Sequence, residues 1–83
     1  MKIKFSNHAL RQIQERGAVR SEVVKAISNG EKVPAKKGRF CYRYNFQYSG
    51  SWMGKRYRIK QVMPVVVEEE AMFVVITVYV FYF

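Results

Sequence analysis

Arg39-Phe40-Cys41-Tyr42-Arg43-Tyr44-Asn45-Phe46-Gln47-Tyr48 is the stretch whose reading decides the fold. Every second position holds an aromatic ring, Phe40, Tyr42, Tyr44, Phe46 and Tyr48, and Arg39, Cys41, Arg43, Asn45 and Gln47 fill the places between. A period of two marks a strand with one face against a core, because successive side chains of an extended chain point to opposite sides. The chain is thus built on a β-sheet, and the flanking segments must supply its partners.

Downstream, Ser49-Gly50-Ser51-Trp52-Met53-Gly54 reads as a turn or longer loop, after which Tyr57, Ile59 and Gln61 alternate with Arg56, Arg58 and Lys60. If the two strands pair and share an apolar face, Arg39, Arg43, Arg58 and Lys60 share the other. Pro64 is expected to interrupt the strand or mark an edge, because proline cannot donate to a ladder. Val65 to Val67 continue the run and Glu68-Glu69-Glu70 makes a charged turn. The last segment, Ala71 to Phe83, is apolar on both alternating sides, which predicts a central strand buried on both faces. It falls well short of the roughly 20 residues that a membrane-spanning helix needs.

Upstream, Ile3 and Phe5 alternate with lysines and suit a short leading strand. Ser6 stands where an N-cap belongs, and Asn7 to Arg16 follows a helical pattern. Ala9, Leu10, Ile13 and Gly17 gather on one side at 3.6-residue spacing, with His8, Arg11, Gln12, Glu15 and Arg16 as a polar stripe. Gly17 ends this helix. A second, short helix is expected from the Ser21 N-cap and Glu22, through Val23, Val24, Ala26 and Ile27, to the terminating pair Asn29-Gly30. The predicted fold is α+β, two N-terminal helices packed on one face of a curved antiparallel sheet of three to four strands, in a single domain over residues 1–83.

Charge is distributed unevenly. Between Lys32 and Val67 stand nine basic residues, Lys32, Lys36, Lys37, Arg39, Arg43, Lys55, Arg56, Arg58 and Lys60, and no acidic one. The remaining six cations are matched by six glutamates, so this stretch carries the whole net charge of +9. A field confined to one segment suits a polyanion, RNA or an acidic protein. Half the residues are hydrophobic, which excludes a disordered chain. The lone Cys41 has no disulfide partner, and Met-Lys-Ile-Lys-Phe lacks the apolar run of a signal peptide, so a cytoplasmic protein without membrane association is expected.

The segment Phe5-Ser6-Asn7-His8-Ala9-Leu10-Arg11-Gln12-Ile13-Gln14-Glu15-Arg16-Gly17-Ala18-Val19, with Ser21-Glu22-Val23-Val24 and Ile76-Thr77-Val78-Tyr79, resembles the bacterial domain-of-unknown-function family 4258. Its sharpest points are the His8-Ala9 pair, the Arg16-Gly17 pair and the Thr77-Val78-Tyr79 strand. Gln12 stands where an arginine is common, and Ala18 where a larger aliphatic is usual. Members of that family look like the compact ribonuclease folds of the RelE and ParE toxin group and of BrnT-like toxins, often encoded beside small antitoxins. The resemblance implies a RelE-like toxin domain that cleaves RNA, with RNA or the ribosome as target and an acidic antitoxin as partner.

The candidate catalytic residues are His8, Arg16, Thr77 and Tyr79. His8 is the only histidine, in the first turn of a helix whose positive end disfavours imidazolium, so a neutral ring could act as general base on a ribose 2′-hydroxyl. Arg16, two turns on, offers bidentate donors to a phosphorane, and Thr77 and Tyr79 offer hydroxyls. Each has a plainer role as capping, packing or β-forming residue. Arg39, Arg43, Arg58 and Lys60 are the candidate phosphate contacts and Trp52 a stacking residue, which could equally close an open end of the core. Arg11 and Glu15 read as a surface pair. Cys41 lacks ligand partners and no carboxylate pair is present, so no metal or cofactor is implied and the expected endonuclease is metal-independent. The alternative is a non-catalytic module that grips RNA or an acidic partner through its basic sheet face.

Overall fold

A computed structural model describes residues 2–83. In chain order these form β1 (Lys2–Phe5), α1 (Asn7–Glu15), α2 (Arg20–Asn29), β2 (Glu31–Pro34), a 3₁₀ turn (Lys36–Gly38), β3 (Phe40–Trp52), β4 (Lys55–Glu69) and β5 (Met72–Tyr82). The strands make one sheet in the order β1-β5-β4-β3-β2. β1 runs parallel to β5 and the other neighbours are antiparallel. This corrects the expected architecture. A curved, wholly antiparallel sheet of three or four strands beneath two helices is replaced by a five-stranded mixed sheet that makes up most of the molecule. The helices are short, 9 and 10 residues. β1 is the short leading strand that Ile3 and Phe5 suit, whereas β2, with four residues, is too short for alternation to announce it.

Local chemistry sets the helix ends. Ser6 is extended, and its Oγ accepts from the Ala9 N–H at 3.0 Å while its own N–H donates to Val75 O at 2.9 Å, tying the helix start to β5. At the other end Ala18 N–H donates to Ile13 O and Gly17 N–H to Gln14 O, a Schellman closure that requires the left-handed φ of +76° at Gly17. A Cβ there would also lie 2.6 Å from the Trp52 ring, so only glycine fits. α2 is capped differently from the expectation. Its N-cap is Val19 rather than Ser21, and Glu22 accepts from the Val19 N–H at 3.0 Å. Val19 has no side-chain acceptor, so Glu22 alone supplies the cap.

β3 continues four residues further than a loop at Ser49–Gly54 allowed, and only Met53 and Gly54, with φ of +52° and +79°, turn the chain between Trp52 and Lys55. Two positive φ values make the tight hairpin turn that matches strand twist. Pro64 does not break β4. It pairs with Val78 on one side, while on the other the paired register passes from Cys41↔Val65 to Tyr44↔Val62 without it. Its missing N–H falls in that gap.

The core lies on one side of the sheet. Val62 and Val66 of β4 and Val75 and Val78 of β5 are completely buried against Ala9 and Ile13 of α1 and Val23 and Ile27 of α2. Val75 and Val78 are three apart yet share this side because an irregularity between Val65 and Val66 sets Val65 opposite Thr77 and Val66 opposite Val75, leaving Ile76 as the extra residue. That extra residue reverses the alternation of β5 halfway along.

Candidate functional site

The nine cations of the basic stretch do not form one surface. Three are paired with glutamates from outside the stretch: Lys32 with Glu68 at 2.8 Å, Lys60 with Glu22 at 3.0 Å, and Arg43 with Glu31. Of the other six, Lys36, Lys37 and Arg39 sit before the start of β3 and Lys55, Arg56 and Arg58 beyond its end, all exposed. β3 has 13 residues and the molecule is 41 Å long, so the two groups occupy opposite ends of the sheet. Charges that far apart are screened from one another at physiological salt.

Lys60 departs most from the sequence expectation. It lies on the helix side, only 6% exposed, and donates to Gly17 O at 2.6 Å besides pairing with Glu22. The register Phe46↔Lys60↔Tyr82 puts it among the core-side residues, not on the open face with Arg43. Its ammonium ties the turn between the helices to the sheet. Above it Trp52 stacks on Tyr82 at 5.1 Å, and Tyr48 and Tyr57 contact the same Tyr82 ring. Trp52 is therefore part of an aromatic lid over this end of the core. Burial, with the Tyr48 phenol and Glu22 nearby, pushes the Tyr82 hydroxyl up to about 12. At the opposite end the Lys32 ammonium and the Tyr42 hydroxyl both bond Glu68, which holds its carboxyl below the usual range.

Arg16 and Tyr79 meet at the β5 edge, with Thr77 two residues before Tyr79 on the same strand. β1 pairs with β5 only as far as Val75, so the rest of that edge is open to side chains of α1. Gln12 Oε1 accepts from Val78 N–H at 2.8 Å and Arg16 Nη1 donates to Val78 O at 2.7 Å, standing in for a neighbouring strand. The Arg16 guanidinium also lies 5.6 Å from the Tyr79 ring centre, and Arg16 O accepts from Tyr82. Gln12, where an arginine is common in the resembled family, is here a buried acceptor that an arginine could not be. His8 is exposed on α1, and among the described residues no hydrogen bond joins it to Arg16, Thr77 or Tyr79.

No layer covers the other face of the sheet. Met63, Val65 and Val67 of β4 alternate with the buried valines and so face away from the helices, beside Cys41 and Arg43 of β3 and Val74, Thr77, Tyr79 and Phe81 of β5. Tyr79 and Phe81 stack on each other and are each 41% exposed, and Phe83 is 62% exposed. The face expected to carry Arg39, Arg43, Arg58 and Lys60 is apolar in its middle and carries cations only at its border. Lys2 and Lys4 share it along β1, opposite Met72 and Val74. Arg43 lies towards the β2 side, and Arg58, with Gln47, Ser49 and Ile59, lines a cleft of about 350 Å³ near the hairpin. A strand apolar on both sides predicts burial on both, yet only the helix side of β5 is covered.

A second cleft, of about 310 Å³, opens on the helix side between Asn7, Leu10, Arg11, Ile13, Gln14 and Arg20. Arg11 and Glu15 do not form the surface pair that their spacing suggested.

No helix among the described residues is long and apolar enough to cross a membrane. No curated protein and no solved structure matches the chain. The family resemblance carried by the helix-start and last-strand motifs has a firmer counterpart: the model of the family described as a domain of unknown function, DUF4258, matches residues 5–80, and the chain belongs to that family.

Proposed function

We propose that this protein is a non-catalytic binding module whose open sheet face receives an acidic polypeptide that carries an apolar stripe. The observation behind this reading is an uncovered face with exposed Tyr79, Phe81 and Phe83, bordered by Lys2, Lys4 and Arg58, with Arg43 paired to Glu31 on the β2 side. Soluble chains rarely leave so large an apolar patch without a use for it. Across β3 to β5 the plane is about 14 Å by 35 Å, roughly 500 Å² before side-chain relief, close to the lower end of what specific partners bury per side. The border selects the sign of the partner. A net charge of +9 attracts an acidic chain and repels a second copy of this one. Cytoplasmic residence, which suits a lone cysteine, belongs to the same proposal.

The test uses an 18-residue designed helical peptide with leucines on one face and glutamates on the other, with two controls, one exchanging glutamate for lysine and one exchanging leucine for serine. The acidic amphipathic peptide should bind at micromolar concentration and both controls at least tenfold more weakly, and Val65→Asp with Phe81→Asp should abolish binding in a chain that stays folded. Equal binding of the serine control would reduce the interaction to charge alone and sink the proposal. So would self-association of the protein that the same two changes disrupt.

A second reading follows the RelE-like resemblance: a metal-independent ribonuclease toxin acting on RNA or the ribosome, held by an acidic antitoxin. One contact favours it, the Arg16 guanidinium beside Tyr79 at an open strand edge with Thr77 two residues away. Under this reading expression arrests growth, the cut RNA ends in a 2′,3′-cyclic phosphate, and His8→Ala costs about 10²-fold in rate at unchanged thermal stability. Cleavage that survives His8→Ala would remove the histidine from the mechanism.

A further inference from the structure

The cleft on the helix side has a composition that neither reading uses. Arg11 comes from the second turn of α1 and Arg20 from the first residue of α2, and Leu10 and Ile13 form the apolar part between them, with the Asn7 and Gln14 amides at the sides. Among the described residues neither arginine enters an ion pair, although Glu15 lies one turn from Arg11. The guanidinium of the exposed Arg20 lies 5.8 Å from the centre of the Phe5 ring, at the outer limit of a cation–π contact.

We infer that this cleft binds a phosphate monoester carried on a flat ring, the chemistry of a nucleoside monophosphate. Three features select that class. Two unpaired arginines match a monoester, which carries about −1.5 to −2 charges at pH 7, better than a carboxylate or an internal phosphodiester with one. The half-buried Leu10 offers apolar surface to a ring, and the two amides can donate to and accept from its polar edge. The volume of about 310 Å³ lies at the small end of ligand sites, enough for one mononucleotide. The cleft and the open sheet face lie on opposite sides of the sheet, so occupation of one does not require the other.

Amide resonances of the ¹⁵N-labelled protein, followed during titration with AMP, adenosine and inorganic phosphate, test the assignment. AMP should move the resonances of Leu10, Arg11, Gln14 and Arg20 with a Kd of millimolar or tighter, and adenosine and phosphate should each bind at least tenfold more weakly. Arg11→Gln and Arg20→Gln should each weaken AMP at least tenfold while the remaining resonances keep their positions. Inorganic phosphate binding as well as AMP would overturn the ring half of the inference. Shifts confined to Lys36–Arg39 or Lys55–Arg58, or an Arg11→Gln chain that binds AMP as the parent does, would overturn the site itself.

Discussion

The two faces of this sheet are built from the same kinds of residue and do opposite things. On the covered face Val62, Val66, Val75 and Val78 have no exposed surface at all. On the open face Val65, Val67, Tyr79 and Phe81 alternate with them along the same strands and remain in contact with solvent. Hydrophobicity of a strand thus says that two apolar faces exist, and a second layer decides which of them is a core. The cations follow the same division. Lys60 is enclosed and does structural work between the helices, whereas Arg58, two residues earlier, is exposed beside a cleft.

The sharpest way to break this comparison is to place one charge on each face. Val62→Asp should unfold the protein, because an unpaired buried carboxylate costs several kcal/mol in a domain whose total stability is about 5–15 kcal/mol. Phe81→Asp should leave the circular dichroism spectrum and cooperative melting intact. A folded Val62→Asp chain, or an unfolded Phe81→Asp one, would mean that the faces are assigned the wrong way round.

A smaller contrast separates the cations. Lys60→Met leaves Gly17 O without its donor and Glu22 without its partner, and should cost about 3 kcal/mol in urea denaturation. Arg58→Met should stay within about 0.5 kcal/mol of the parent. Equal effects would show that Lys60 is no better enclosed than Arg58.

The edge of β5 offers a third measurement. Gln12→Ala removes the acceptor of the Val78 N–H and should cost about 1–2 kcal/mol. Hydrogen exchange at Val78 should accelerate by more than global unfolding alone explains, and exchange that follows the global rate would show that Gln12 does not guard the edge.

The last expected effect is absent at neutral pH and appears only in alkali. The Tyr82 hydroxyl is pushed from its ordinary 10.0 up to about 12, so the folded state keeps a proton that the unfolded chain gives up. The associated stability is fully present below pH 10 and is lost as pH rises from there through 12. Tyr82→Phe should flatten that part of the stability profile, and an unchanged slope would assign the dependence to other groups.

Sequence alone determined what short-range physics controls. The aromatic alternation of residues 40–48 has one satisfactory backbone period, and β3 adopts it. Ser6 caps α1 and Gly17 ends it because a hydroxyl acceptor and a positive φ are needed within one turn of the same chain. Tertiary structure decided whatever depends on a partner distant in sequence. The parallel β1 and the short β2 exist through their neighbours, and Pro64 is tolerated because a gap in pairing coincides with its missing N–H. One extra residue at Ile76 turned Val75 and Val78 to the same side, which counting by twos could not foresee. The candidate site was affected most. Glu22, Glu31 and Glu68 lie outside the basic stretch in sequence, but folding brings each against one of its cations and parts the rest to the two ends. Charge counted along a chain gives the total, while Coulomb energy depends on distances in space, and those belong to the fold.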